Sequence, residues 1–245
     1  MNFSLLEKAF LQQRIAKEIC TNRFSIISGD VIKEYIHLFD ELIYKEFIES
    51  WNNLIIDNHM RDGGKYRERR YSVFKYNFDS KELIEKLGEP HYQEKAVNHL
   101  NGGITRHFEP IEYKIKNNFF FVHLIKFCIS VFEGIKTAKD WHIESHQFRI
   151  QATPDMIGFP TPEGIHRDGV TYTFIMFIGK ENISGGESHI YDNNKNHITS
   201  YLMEKTFDCA FLDDTKLMHS VSPITPKLKG KQSYRDTLVI TFKKL

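Results

Sequence analysis

The sequence predicts a mainly β protein with flanking helices, a sandwich or barrel with helices packed outside it. Three observations predict this class. From about residue 142 onward, short apolar runs alternate with turn residues at near-regular spacing. Residues 1–60 instead carry apolar side chains at helical spacing. Between these parts, residues 118–138 are apolar at mixed spacing, as expected of a helix buried against a sheet.

In the N-terminal part, Leu5, Leu6, Ala9, Phe10, Ile15 and Ile19 recur at roughly helical spacing. Asp30 is placed to cap a second helix with Ile32, Tyr35, Ile36, Phe39, Leu42 and Ile43 on one face. Residues 58–70 are polar, contain Gly63-Gly64, and read as a loop. The basic run Lys65-Tyr66-Arg67-Glu68-Arg69-Arg70 lies in it and reads as solvated, with a pocket-facing arginine as the lesser reading. Strand signal starts at Tyr71, where Ser72, Phe74, Tyr76 and Phe78 share one face and Tyr71, Val73 and Lys75 the other. Asn101-Gly102-Gly103 marks a turn.

Later strand-like runs cover 146–151, 170–178, 187–191, 208–212, 217–221 and 237–242. Pro160, Pro162, Gly164, Gly185-Gly186, Asp192-Asn193-Asn194, Asp213-Asp214 and Pro223 punctuate them. No repeat and no linker divides the chain, so it reads as one domain over 1–245, with the β core over 70–243.

Composition narrows the function classes. A hydrophobic content of 41% is enough for a real core, and 27% charged residues argue against wholesale disorder. The net charge of +1 proposes no nucleic-acid partner, since such proteins usually carry a basic excess or stripe. No stretch approaches the ~18 apolar residues of a membrane span, and the N-terminus lacks the pattern of a signal peptide. Cys20, Cys128 and Cys209 form no C-x-x-C pair and are odd in number, so a disulfide framework is not supported. The expected compartment is the cytoplasm.

The chemistry centres on His166-x-Asp168. On a strand, residues two apart point the same way, so this imidazole and carboxylate would face one point. The spacing alone does not select them, because His107-Phe108-Glu109 and His142-Ile143-Glu144 share it. Context does more. The pair follows a Pro- and Gly-rich turn and precedes the apolar run 170–178, at the mouth of a strand. Phe174, Met176 and Phe177 of that run read as core, with pocket lining as the lesser reading. His219 lies 53 residues on, within a short apolar segment that can return a second imidazole. Two histidines and one carboxylate leave coordination positions open and suit non-haem iron(II). Arg235 lies in an apolar final strand, where an inward guanidinium needs an anionic partner. A dicarboxylate cosubstrate would supply one, with Thr237 adding a hydroxyl on the same face. An ion pair with Asp236 is the plain alternative.

This ordered set resembles the iron(II)- and 2-oxoglutarate-dependent dioxygenases built on a double-stranded β-helix, the jelly-roll or cupin-like core. The segments 162–169, Gly185-Gly186-Glu187-Ser188 and 235–242 resemble the small bacterial family that hydroxylates free L-amino acids, the L-isoleucine 4-hydroxylase-like enzymes. The segments Arg69-Arg70-Tyr71, 101–110 and 146–150 do so as well, so the likeness covers roughly 65–243.

The resemblance implies that His166, Asp168 and His219 hold Fe(II) and that Arg235 binds the far carboxylate of 2-oxoglutarate. It also implies O2 as oxidant, with ascorbate as a reductant. Because Asp168 is present, it implies hydroxylation and not halogenation, which in this fold replaces that carboxylate with a small residue. An amino-acid substrate needs both charged ends fixed, and Thr105, Arg106, Arg149 and Glu163 are the candidates. Three alternatives stay open: a peptide or protein side chain as substrate, a cupin-type metal enzyme of another class, and a non-catalytic small-molecule binding module. A homodimer is compatible with all of these readings.

Overall fold

The computed structural model of the protein describes residues 5–36, 41–136 and 140–245. The side chains of Leu5, Leu6 and Ile36, the predicted helical Phe39 and the predicted helix end at 137–138 lie outside the described residues.

The chain opens with α1 (Leu5–Asn22), β1 (Phe24–Ile27), α2 (Gly29–Ile36) and α3 (Glu41–Glu49), then a 3-10 turn at Ser50–Asn53 and β2 (Ile55–Ile56). A hairpin of β3 (Arg67–Asn77) and β4 (Glu82–Lys86) follows, then α4 (Tyr113–Lys116) and α5 (Phe119–Glu133). The remainder is β5 (Asp140–Gln151), β6 (Tyr172–Glu181), β7 (Ile183–Gly185), β8 (Ser188–Asp192), β9 (His197–Tyr201), β10 (Cys209–Asp213), β11 (Leu217–Val221), β12 (Ile224–Pro226) and β13 (Tyr234–Lys244). No helix among the described residues is long and apolar enough to cross a membrane.

The predicted class holds: a mainly β protein with helices outside it. The large sheet runs β1-β10-β6-β13-β5-β3-β2, with β4 paired to β3. A small sheet, β11-β8-β9, and the β12-β7 pair complete the double-stranded β-helix. Long antiparallel pairs such as β13–β5 fix the register, so alternate residues of these two strands face opposite sides.

One side of the large sheet is covered by the helices. Phe74 and Tyr76 of β3, Ile143 of β5, Phe174 and Met176 of β6, and Phe242 of β13 pack with α1 and α5 in one core. Phe132 of α5 stacks on Tyr172 with ring centroids 4.4 Å apart. The sequence reading of 118–138 as a buried helix and of Phe174 and Met176 as core is met here. The N-terminal part is tied down by hydrogen bonds as well. Trp51 Nε1 donates to the Phe148 carbonyl at 3.1 Å, and Gln147 Nε2 donates to Ser50 Oγ at 2.8 Å.

One sequence expectation is overturned. The basic run is not a solvated loop: β3 begins at Arg67, and Arg67 and Arg69 are buried. Asp57 explains how. Arg67 Nε donates to Asp57 Oδ2 at 2.8 Å, and Arg69 Nη1 lies 3.6 Å from the same oxygen. A buried carboxylate ten residues upstream makes two buried guanidiniums tolerable. The short strands β1, β2, β4, β7, β9 and β12 were not predicted either. Most are exposed or few in residues, and their pairing is set by the partner strand.

Helix α5 starts where Asn118 caps it. The Asn118 side-chain oxygen accepts from Phe120 N at 3.0 Å and Phe121 N at 3.4 Å, while its amide donates to the Ile43 carbonyl at 2.9 Å. Replacing Asn118 with Ala should destabilise the fold by about 1–2 kcal/mol. Urea unfolding checks this, and an unchanged midpoint would contradict the capping role.

Candidate metal centre

The other side of the large sheet lines a cavity of about 730 Å³. Strand alternation selects what enters it: Arg67 and Arg69 from β3, Glu144 and His146 from β5, and Arg235 and Thr237 from β13. The facing wall carries His166, Asp168 and His219.

These three side chains, drawn from separate places in the chain, offer ligand atoms that all lie within 4.8 Å of one another. They do not converge as two neighbours on one strand. Residues 166–169 form a loop ahead of β6, and His166 makes an isolated antiparallel bridge with His219 of β11. His166 N donates to the His219 carbonyl at 3.0 Å, and His219 N donates to the His166 carbonyl at 2.7 Å. The two rings are thereby held with centroids 4.4 Å apart.

Asp168 is positioned by Asp214. The Asp214 carboxylate accepts backbone N–H bonds from Asp168 at 2.8 Å, Gly169 at 2.7 Å and Val170 at 2.9 Å. Gly169 has φ +79°, and an added Cβ would meet Val97 at 3.0 Å, so only glycine fits this turn. The side chains are oriented too. His166 Nδ1 donates to the Gly164 carbonyl at 3.0 Å, which turns the Nε2 lone pair toward Asp168 Oδ1 at 3.8 Å. Thr173 Oγ1 donates to Asp168 Oδ2 at 2.8 Å, leaving Oδ1 on the side of the imidazoles.

Charge at the centre is set by burial and by these neighbours. Burial would raise Asp168, but His219, His166 and the Thr173 hydroxyl outweigh it and hold the carboxyl below its usual range. Burial and the adjacent His166 push His219 down to about 4, so its imidazole is neutral near pH 7. Burial and the neighbouring Asp168 push Asp214 up to about 7, against the pull of its three backbone donors. One carboxylate and two imidazoles in a buried pocket are a donor set that fits Fe(II), with positions left for other ligands.

Arg235 stands deeper in the cavity. It is 3% exposed, and its Nη2 is buried without a hydrogen-bond partner. Burial lowers its pKa to about 10, which still leaves it cationic. Space for it comes from Gly186 (φ +81°), where a Cβ would lie 3.2 Å from Arg235 Cδ. Asp236 is not its partner. That carboxylate is bound by Arg149, whose Nε and Nη2 donate to it at 2.8 Å and 2.7 Å. Arg235 is thus a buried cation with a free face toward the cavity, which suits the far carboxylate of 2-oxoglutarate. Thr237 lines the same cavity two residues on.

The substrate candidates divide. Arg106 is buried and lines the cavity, and Glu163 lines it beside His166, with Oε1 3.4 Å from Nε2. Arg149 does not line the cavity. It alternates onto the opposite face of β5, bound to Asp236 and to Asn52 at 3.1 Å. Thr105 is exposed and also outside the cavity lining. Phe177 lies under Arg235, its ring 5.7 Å from the guanidinium carbon. Sequence reasoning missed Asp57, Asp214, and Glu144 with its histidines. For Arg67 and Arg69, extending the strand alternation back from Tyr71 would have found them.

A two-histidine, one-carboxylate face with an unpaired guanidinium behind it defines the class: a non-haem iron dioxygenase that uses 2-oxoglutarate and O2. Comparison with known proteins agrees. The profile of the 2OG-Fe dioxygenases matches residues 48–241, and the chain belongs to that family.

It is 25% identical over 236 residues to L-isoleucine-4-hydroxylase of Bacillus thuringiensis, covering 88% of this chain and 97% of the relative. It is 29% identical over 209 residues to 3(1)-hydroxy-L-isoleucine 4-dioxygenase of Pantoea ananatis (strain AJ13355), covering 84% of this chain and 82% of the relative. The crystal structure of a bsmA homolog from Methylobium petroleophilum PM1 superposes with a TM-score of 0.87 at 28% identity, over 95% of this chain and 93% of that one.

Asp168→Ala and His219→Ala should each lower bound iron(II) to background while leaving the helical core folded. Iron analysis after anaerobic loading and desalting checks this, and full iron content in both variants would exclude these ligands. Asp214→Ala leaves three backbone donors without their acceptor. It should destabilise the protein by about 2–4 kcal/mol, read by denaturant unfolding, and should weaken iron binding as well. Wild-type stability and iron affinity would refute the clamp.

Proposed function

We propose that the protein hydroxylates an unactivated carbon of a free L-amino acid, with 2-oxoglutarate converted to succinate and CO2. The observation that carries this reading is the buried convergence of His166, Asp168 and His219 facing an unpaired Arg235 in one cavity. Bound iron(II) with 2-oxoglutarate and O2 supplies the oxidising chemistry; the chain supplies placement, charge and a dry wall.

His166, Asp168 and His219 would hold the iron. Arg235 would grip the far carboxylate of 2-oxoglutarate, and Thr237 would add a hydroxyl beside it. Phe148, Ile175, Val221 and Val239 give the cavity apolar walls that keep water from the reacting carbon. Retention of Asp168 directs the reaction to hydroxylation, since no small residue opens a place for halide. Arg106 faces the substrate, and Glu163 borders the triad. The amino-acid substrate is supported by the relatives named for isoleucine and hydroxyisoleucine chemistry. The chain works as one domain, in the cytoplasm, where free amino acids and 2-oxoglutarate are available.

The test uses purified protein with iron(II), ascorbate and 2-oxoglutarate, screened against the standard amino acids plus citrulline and ornithine. One or a few should gain a single oxygen by mass spectrometry, with succinate formed in step. Arg235→Gln should raise the KM for 2-oxoglutarate by about 30-fold or more. No oxygenated amino acid, or succinate formed at the same rate without one, would contradict the proposal.

A further inference from the structure

The cavity holds a second group of titratable side chains that the chemistry above leaves unused. His91, Glu144 and His146 bring ligand atoms within 4.8 Å of one another, as the triad does. Their hydrogen bonds decide what the group can take. Arg69 Nη2 approaches His146 Nδ1 at 2.6 Å. A guanidinium can only donate, so Nδ1 accepts and the ring proton sits on Nε2, which faces Glu144 Oε2 at 3.6 Å. His91 Nδ1 donates to the same oxygen at 2.7 Å, and His142 Nε2 donates to Oε1 at 3.2 Å. With their N–H groups turned on Glu144, His91 and His146 offer no lone pair on that side for a second metal.

The group is instead a fixed anion. Burial would raise Glu144, but the hydrogen bonds from His142, His146 and His91 hold it well below the usual carboxylate range. Burial pushes His146 down to about 3, so that imidazole donates while neutral.

Arg106 supplies the opposite sign. It is 2% exposed and lines the same cavity, Nη2 donates to Gln93 Oε1 at 3.1 Å, and Nε is buried with no partner. A buried guanidinium with an open donor calls for an anion. The register places Glu144 relative to the triad, and the isolated bridge between His91 and Arg106 ties Arg106 to the same group. Thr173, Thr241 and Glu144 are aligned across β6, β13 and β5. At about 4.8 Å per strand, Glu144 stands about 10 Å from Thr173, whose hydroxyl holds Asp168. An interval of this size admits a small amino acid with its side chain toward the triad.

We propose that Glu144 and Arg106 form the receptor for the two charged ends of the substrate, Glu144 taking the α-ammonium and Arg106 the α-carboxylate. This rests on the reading of the protein as an amino-acid hydroxylase. Glu163, the other nearby carboxylate, belongs to the triad end: Oε1 lies against His166, and Oε2 is sealed from solvent without a partner. The receptor selects a zwitterion. A residue inside a peptide carries neither charge, so free amino acids are favoured over peptides.

The test is calorimetric titration, under nitrogen, of enzyme loaded with iron(II) and 2-oxoglutarate. The probes are L-isoleucine, 3-methylpentanoate, which lacks the amino group, and L-isoleucinamide, which lacks the carboxylate. Glu144→Gln should weaken L-isoleucine binding by about 30-fold or more and leave 3-methylpentanoate within about twofold. Arg106→Gln should weaken both carboxylates and spare the amide. Glu144→Asp should recover part of the loss, and 2-oxoglutarate affinity should be unchanged in every variant. Equal binding of L-isoleucine by wild type and Glu144→Gln overturns the receptor, as does an equal loss of 3-methylpentanoate. So does an ammonium-specific loss in Glu163→Gln in place of Glu144→Gln. A second equivalent of iron in the wild type that disappears in Glu144→Gln makes the group a metal site and overturns it too. Wild type that binds and oxidises no amino acid contradicts the hydroxylase reading itself.

Discussion

Two backbone hydrogen bonds between His166 and His219 set the distance on which the rest of the centre depends. They join the loop ahead of β6 to β11, so two imidazoles 53 residues apart in sequence face each other at 4.4 Å. Asp214 does the same for the carboxylate. Three backbone N–H groups converge on one buried side chain, and the turn through Gly169 can then deliver Asp168 to the imidazoles. Leaving three such backbone donors buried without their acceptor would be costly, so the turn is held firmly. Together these bonds gather the His166, Asp168 and His219 side chains around one point.

The cavity is organised by a rule about buried charge. Such a charge is tolerable when paired, and an incomplete pairing marks a place for a ligand. Arg149 with Asp236 is a completed pair and belongs to the scaffold, while Arg67 and Arg69 share the single carboxylate of Asp57. Arg67, Arg69, Arg106 and Arg235 each keep a buried nitrogen without a hydrogen-bond partner, but among the described residues Arg67 and Arg69 have Asp57 as counter-ion and Arg106 and Arg235 have no carboxylate at ion-pair distance. They lie in the same cavity as the triad, Arg235 with a phenylalanine ring and a glycine beside it and Arg106 near Gln93. Under the proposals above, Arg235 takes the dicarboxylate cosubstrate and Arg106 the acid end of the substrate.

Much of this was legible in the sequence, and what was not has physical reasons. His166, Asp168 and His219 could be picked out because a turn-rich loop, an apolar strand and a returning apolar segment framed them. The alternation of β13 indicated that Arg235 and Thr237 share a face. It could not say whether Arg235 or Arg149 would claim Asp236, because that depends on how β5 and β13 pair. The run at 65–70 looked solvated because Asp57, which neutralises it, sits outside the run. His142-x-Glu144 looked like a chance repeat of the ligand spacing; His146 continues the same face of β5, but His91, which completes the group, joins it only through a tertiary contact. Asp214 read as turn chemistry, and nothing local announces that its carboxylate collects three distant amides. The jelly-roll class survived these gaps because alternation and turn placement specify it without the short edge strands.

The most direct test is a crystal structure of the complex with iron(II) and 2-oxoglutarate, prepared without oxygen and measured across the iron absorption edge. One strong anomalous peak per chain is expected among His166, Asp168 and His219, with the far carboxylate of 2-oxoglutarate on Arg235. An iron peak at His91, Glu144 and His146 with none at the triad would contradict this, as would 2-oxoglutarate bound away from Arg235.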